Sequence, residues 1–119
     1  MLNLPKLIGH RGVKNLLPEN TIDSINLAKE LGLSWVEFDV KISKDLIPIL
    51  LHDDSLERTT NGRGLPIDYN YKDLKKLDAG SFFYNHKTKI YIPTLEEILV
   101  LSNDKDISLN IELKPNPGF

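Results

Sequence analysis

The stretch "LSWVEFDVKISKDLIPILLHDD", residues 33–54, decides the fold. Its first eight residues alternate, with Trp35, Glu37 and Asp39 on one side and Val36, Phe38 and Val40 on the other, the two-residue period of a strand. One side is apolar and suits a core; the other carries two acids, which a core does not accept unpaired. "KISKDL" (41–46) is polar enough for a turn, and "IPILLHDD" (47–54) reads as a second, buried strand ending in His52, Asp53 and Asp54. Between Asp39 and Ile47 there is no room for a crossover helix of about a dozen residues. The two strands therefore form a hairpin or another helix-less return, and either brings His52 near Glu37 and Asp39.

Upstream, the apolar pair Leu7-Ile8 ends in the polar run "GHRGVKNLLPENT" (9–21), a loop leaving a strand, with Gly9 and Gly12 allowing a tight backbone around His10 and Arg11. Ile22, Ile25, Leu27, Ala28 and Leu31 then follow a helical period, with Thr21 or Asn20 to cap the helix and Gly32 to stop it. Downstream, residues 55–93 are irregular. They hold the polar loop "RTTNGRG" (58–64), a short helix near Tyr71–Leu77 and exposed-looking aromatics in "AGSFFYNHKTKIY" (79–91), an excursion of the kind that forms lids, binding loops or poorly ordered segments. "PTLEEILVLSN" (93–103) is a helix with Thr94 as N-cap and Glu96 and Glu97 in its first turn. "ISLNIELKP" (107–115) closes the chain as a strand, with Asn110, Glu112 and Lys114 on one face and Ile111 and Leu113 on the other.

The order of elements is that of an α/β protein, and 119 residues make one domain or one piece of a larger one. A net charge of −2 offers no basic face for nucleic acid or anionic lipid. With no cysteine, disulfides and thiolate metal sites are excluded. The amino terminus "MLNLPKLIGH" lacks the regions of a signal peptide, and no stretch approaches the roughly 20 apolar residues of a membrane span. The expectation is a soluble, cytoplasmic chain without a membrane span.

Three strands end in acids, histidine or lysine, so Glu37, Asp39, Glu112 and Lys114 can converge with His10 and His52 at one sheet edge. Three carboxylates are hard oxygen ligands that suit Mg²⁺ or Ca²⁺ better than zinc or copper. Without a cation they repel, and at least one takes up a proton. His10 and His52 titrate near neutrality and suit a general acid and a general base. Arg11 and Lys114 add positive charge at the same edge, suited to a phosphate oxyanion. A metal, an acid/base pair and an anion clamp describe phosphoryl transfer better than acyl transfer; no Gly-x-Ser-x-Gly elbow and no Walker loop competes. His86 has no partner in the pattern, and Trp35 and Phe38 read as packing residues.

The chain resembles the glycerophosphodiester phosphodiesterase family through six motifs in order: "GHRG" (9–12), "PENT" (18–21), "VEFDV" (36–40), "HDDSLERTTNGRG" (52–64), "IPTLEEIL" (92–99) and "NIELK" (110–114). The resemblance implies the N-terminal half, residues 1–119, of a phospholipase-C-like (β/α)₈ barrel that hydrolyses glycerophosphodiesters to glycerol 3-phosphate and an alcohol. It implies His10 and His52 as the acid/base pair, Glu37, Asp39 and Glu112 as ligands of a divalent metal, Mg²⁺ or Ca²⁺, and Arg11 and Lys114 as phosphate contacts. Glu19 of the Pro-Glu-Asn-Thr motif becomes an orienting residue, and the excursion, about residues 55–91, an insertion beside the substrate. Such a barrel takes about 250 residues, so the chain also reads as a fragment that needs its other half or a partner chain, with self-association through its open edge. A lysophospholipase D-like lipid phosphodiesterase is the alternative substrate reading.

Overall fold

A computed structural model describes residues 7–118 of the chain. Strand β2 (Trp35–Ile42) is the hub. The two-residue strand β1 (Gly9–His10) lies parallel to it, with His10 opposite Glu37. Strand β4 (Ser108–Leu113) lies parallel along its length, with Glu37 opposite Asn110 and Asp39 opposite Glu112. Strand β3 (Pro48–Leu50) returns antiparallel, Val40 facing Leu50. Because Glu37 pairs with both β1 and β4, and Val40 with both β3 and β4, β1 and β3 occupy one edge of β2 and β4 the other. Helix α1 (Ile22–Glu30) joins β1 to β2. Helices α2 (Tyr71–Leu74), α3 (Ser81–Tyr84) and α4 (Leu95–Lys105) lie between β3 and β4. Three parallel strands with their connecting helices make a partial α/β barrel.

The alternation of β2 sorts its two faces as its sequence requires. Val36, Phe38 and Val40 are buried with Ile25 and Ala28 of α1 and Ile98 of α4 in the main core. Phe38 is fully buried, so truncating it to alanine would cost about 3–5 kcal/mol. Ile49 and Leu50 continue the two-residue period into two cores: Leu50 joins the main one, and Ile49 packs with Leu51, Leu56, Leu74, Ala79 and Ile92 in a second.

The helix ends follow local chemistry. Thr21, extended at φ −120°, accepts the Ser24 amide and caps α1, and Gly32 follows at φ +87°. Thr94 and Glu97 close a reciprocal capping box on α4.

Three sequence expectations change. The turn expected from Lys41 starts two residues later, because β2 runs through Ile42; Lys41 pairs with Ile49 and is buried. The turn itself is Ser43–Leu46, closed by the Ser43 amide on the Ile47 carbonyl at 3.0 Å. The second strand is only three residues long, and the chain past Leu50 is irregular. The excursion is neither open nor loose, since Leu56, Leu74, Ala79 and Ile92 give it a core of its own. Buried Asp78 fastens it by accepting the amides of Gly80, Ser81 and Thr88.

Candidate functional site

Position 37 and position 39 share a face of β2, and parallel register sets Glu112 of β4 beside Asp39. One carboxylate oxygen each from Glu37, Asp39 and Glu112 lie within 4.8 Å of one another. The sequence expectation of a three-carboxylate cluster is met in space. Burial and the neighbouring Asp39 carboxylate push the Glu37 carboxyl up, against the pull of the Arg11 amide. Glu112 goes the other way, held down by the Lys114 ammonium 3.0 Å from its Oε1.

Asp39 is buried and held from both sides. Asn20 Nδ2 donates to its Oδ2 and Asn20 Oδ1 accepts its backbone amide, both at 3.2 Å. Its other oxygen, Oδ1, is buried without a hydrogen-bond partner among the described residues. Such an orphaned acceptor inside a carboxylate triad is costly unless a cation meets it, and an all-oxygen donor set fits a hard divalent ion. The residues therefore fit the metal that the sequence implies.

Arg11 sits in the loop after β1 with φ +53°, a left-handed conformation costly for arginine. The surroundings impose it. The Arg11 carbonyl accepts the Asn20 amide at 2.9 Å and the Ser24 hydroxyl at 3.2 Å, while the Arg11 amide donates to Glu37 Oε1 at 3.3 Å. Glycine is required on either side: a Cβ on Gly9 would strike the Gly12 carbonyl, and one on Gly12, at φ +80°, would strike Ser24. The Arg11 guanidinium donates through Nη1 to Glu19 Oε2 at 3.2 Å; its Nε lies 3.4 Å from Asp39 Oδ2 but is a buried donor with no hydrogen bond among the described residues. An unpartnered donor on Arg11 beside an unpartnered acceptor on Asp39 suits an anion and a cation bound side by side.

His10 is largely exposed at the end of β1; partial desolvation, together with the charges of Arg11 and Lys14, pulls its imidazole pKa down. His52 follows β3 and places Nδ1 2.8 Å from Asp53 Oδ1. No hydrogen bond joins the two histidines among the described residues. Glu19, Asn20 and His52 line one small cavity of about 10 Å³, so the Pro-Glu-Asn-Thr loop and the end of β3 meet. His86 stacks on Tyr84 at 5.5 Å, away from this cluster, as its lack of a partner in the sequence suggests.

Two residues at the site escape sequence reasoning. Arg58 reaches back to Glu19, donating through Nη1 to Oε1 and through Nη2 to Oε2, both at 2.9 Å. It also grips Asp53, with Nε on Oδ2 at 2.8 Å and Nη2 on Oδ1 at 2.9 Å. Glu19 is held below the usual carboxylate range: burial pushes it up, and the Arg58 hydrogen bonds together with the charges of Arg58 and Arg11 outweigh that. Asp53 is pulled far lower, chiefly by Arg58. Lys41, on the same face of β2 as Glu37 and Asp39, sends a fully buried ammonium to Asp54 Oδ1 and the Pro115 carbonyl. A signal existed for Lys41, since it continues the alternation one step past Asp39.

A family model described as the glycerophosphoryl diester phosphodiesterase family matches residues 10–118. The chain is 44% identical over 108 residues to a glycerophosphodiester phosphodiesterase of Caldanaerobacter subterraneus, covering 91% of this chain and 44% of that one. Among solved structures it is similar to an Oleispira antarctica phosphodiesterase in complex with the product sn-glycerol-3-phosphate, at TM-score 0.91 and 45% identity, covering 97% of this chain and 47% of that one. A glycerophosphodiester phosphodiesterase from Agrobacterium tumefaciens is similar at TM-score 0.88 and 33% identity, covering 95% of this chain and 48% of that one. The chain spans about half the length of the curated relatives it matches. No helix among the described residues is long and apolar enough to cross a membrane.

Proposed function

Since the chain belongs to the glycerophosphoryl diester phosphodiesterase family, we propose that it supplies the catalytic half of a site that hydrolyses glycerophosphodiesters to glycerol 3-phosphate and an alcohol. The observation that carries this reading is the juxtaposition of the Glu37, Asp39 and Glu112 carboxylates with the Arg11 guanidinium, one buried acceptor and one buried donor unpartnered between them. The product named for the Oleispira relative, sn-glycerol-3-phosphate, supports the same product here.

Glu37, Asp39 and Glu112 would hold Mg²⁺ or Ca²⁺, which when bound supplies a positive charge for a phosphoryl oxygen and lowers the pKa of a coordinated hydroxyl. Arg11 and Lys114 bind the remaining phosphate oxygens and stabilise the charge that develops there. One histidine of the His10/His52 pair accepts the proton of the attacking hydroxyl or water as its oxygen bonds to phosphorus. The other gives a proton to the departing alcohol oxygen as its bond to phosphorus breaks; where the attacking oxygen is the substrate's own hydroxyl, water then adds to the cyclic phosphate so formed and the ring oxygen leaves as the glycerol hydroxyl. Residues 55–91 form the insertion on the substrate side, Glu19 orients Arg11, and the chain works in the cytoplasm.

The test is release of glycerol 3-phosphate from glycerophosphocholine or glycerophosphoethanolamine by the full-length protein with Mg²⁺ or Ca²⁺. His10→Ala and His52→Ala should each lower turnover by about 10²–10⁴-fold, and normal turnover in both variants overturns the assignment. A lipid-directed reading, of lysophospholipase D type, draws on the edge-to-face run of Phe82, Phe83 and Tyr84, with Phe82 and Tyr84 exposed. Competing lysophosphatidylcholine against glycerophosphocholine decides between them. Outward-facing Leu113 at the end of β4 supports self-association through that strand, which sedimentation of this chain tests.

A further inference from the structure

Nothing in the proposed chemistry uses Arg58, yet it makes four charged hydrogen bonds to two carboxylates. A guanidinium has five N–H donors, so Arg58 retains little capacity for a substrate. Each of its partners touches a different residue of the site. Asp53 Oδ1 lies 2.8 Å from His52 Nδ1, and Glu19 Oε2 accepts Arg11 Nη1 at 3.2 Å. We propose that Arg58 is a positioning residue that holds the His52 imidazole and the Arg11 guanidinium in one fixed relation through Asp53 and Glu19.

The physical case rests on what each carboxylate can do. An ionised Asp53 only accepts, so the neutral His52 beside it carries its proton on Nδ1 and keeps its lone pair on Nε2, directed away from Asp53. That is the form able to take a proton from a substrate hydroxyl. Asp53 has two rotatable bonds and stays in this orientation because Arg58 grips both of its oxygens. Glu19 is likewise gripped at both oxygens, and it presents one of them to Arg11. Remove the guanidinium and two like charges face each other across the gap, which drives the two loops apart. Lysine would restore the charge but not the planar fork, so it cannot make four bonds in one plane. Glu19 and Arg58 are 39 residues apart in sequence, so the contact joins the loop before α1 to the segment after β3.

The inference rests on the proposed roles of His52 and Arg11, and the experiment separates the two. In the full-length protein, Arg58→Gln should lower kcat on glycerophosphocholine on the order of 10²-fold, as misplaced catalytic groups do, with KM rising by a smaller factor through the displaced Arg11. Arg58→Lys should recover only part of the loss. Side-chain ¹⁵N NMR of His52 should show the Nδ1–H tautomer in the wild type and a mixture with Nε2–H in Arg58→Gln. Unchanged kcat, or a loss confined to KM with the tautomer unmoved, overturns the proposal. If Arg58→Gln does not fold, Arg58→Lys decides by the same two readouts. If His52→Ala turns over like the wild type, the functional reading fails, while the tautomer still decides whether Arg58 positions His52.

Discussion

Asn20 and Asp39 hold each other through two hydrogen bonds of opposite sense, Asn20 Nδ2 to Asp39 Oδ2 and the Asp39 amide to Asn20 Oδ1, each at 3.2 Å. This pairing fixes which carboxylate oxygen of Asp39 is used up and leaves Oδ1 buried with no hydrogen-bond partner among the described residues. Asn20 itself sits at φ +57°, a left-handed position that asparagine tolerates better than most residues. Its two roles, turning the loop and aiming the carboxylate, explain why a polar residue is buried there.

Asn20→Ala should therefore weaken divalent-cation binding by about 10–100-fold, the usual cost of losing a group that orients a ligand. Asn20→Asp should be worse, because a carboxylate would replace the donor facing Asp39 Oδ2. Calorimetric titration of Mg²⁺ or Ca²⁺ into the full-length protein measures both, and wild-type affinity in Asn20→Ala would contradict the orienting role.

The capping box of α4 makes stability depend on pH at both ends. Burial pushes the Glu97 carboxyl up, but hydrogen bonds from Tyr91 and Thr94 outweigh it and hold Glu97 below its ordinary value. The folded state thus binds that proton less tightly than the unfolded chain. Glu97 contributes stability that is present above its unfolded pKa and is lost as pH falls through its folded value. Tyr91 runs opposite: its hydrogen bond to Glu97, with burial, pushes its phenol up to about 12. Its contribution is complete below its ordinary pKa and is lost as pH rises toward about 12. In thermal melts across pH, Glu97→Gln should flatten both limbs, because glutamine keeps the cap but not the charge. Tyr91→Phe should flatten the alkaline limb fully and the acid limb in part, since its hydroxyl is one of the donors that hold Glu97 down. A Glu97→Gln curve parallel to wild type throughout would refute the linkage.

How far the sequence carries is visible in particular residues. Val36, Phe38 and Val40 against Glu37 and Asp39 define β2 and its two faces without any structure, because the period of a strand is fixed by its geometry. Thr94 and Glu97 announce α4 for the same reason, since a capping box is local. The cluster of Glu37, Asp39 and Glu112 follows from strand alternation plus parallel pairing. Arg58 does not follow, because its partner Glu19 lies on another loop and only tertiary packing brings them together. Lys41 was hidden differently: a lysine after an apolar strand resembles the start of a turn, and nothing local says that Pro115 will offer it a carbonyl. The core inside the excursion is also nonlocal, built from Leu56, Leu74 and Ile92 with Ile49 and Leu51.

Lys41 carries a prediction of its own. Its ammonium is fully buried, whereas its partner Asp54 is 71% exposed. The ion pair is therefore weak by solvent screening, and the half-buried bond to the Pro115 carbonyl dominates. Pro115 follows Lys114, so Lys41 fastens the strand end that carries a proposed phosphate contact. Lys41→Met keeps most of the volume and removes a hydrogen bond from a charged donor, a loss of about 1.5–3 kcal/mol. Urea denaturation of the full-length variant should show a lower midpoint, and KM for glycerophosphocholine should rise. An unchanged midpoint would show that this bond contributes nothing.

Lys114 and Glu112 set up a competition with opposite signs for two ligands. The ammonium lies 3.0 Å from Glu112 Oε1, and each group holds the other in its charged form. A cation meeting Glu112 displaces the ammonium from that oxygen and frees it for an anion. Cation and anion binding are then coupled positively, and the coupling is reciprocal. Lys114→Gln removes the competitor, so it should tighten Mg²⁺ or Ca²⁺ binding by a few-fold while weakening inorganic phosphate in the same titrations. The increase in phosphate affinity on adding the cation should shrink in the variant. A residue that served only as a phosphate contact would leave cation affinity in the absence of phosphate unchanged, and a residue that served only to hold Glu112 in place would weaken the cation when removed. Opposite shifts in one variant are the outcome that distinguishes a shared Glu112 from both.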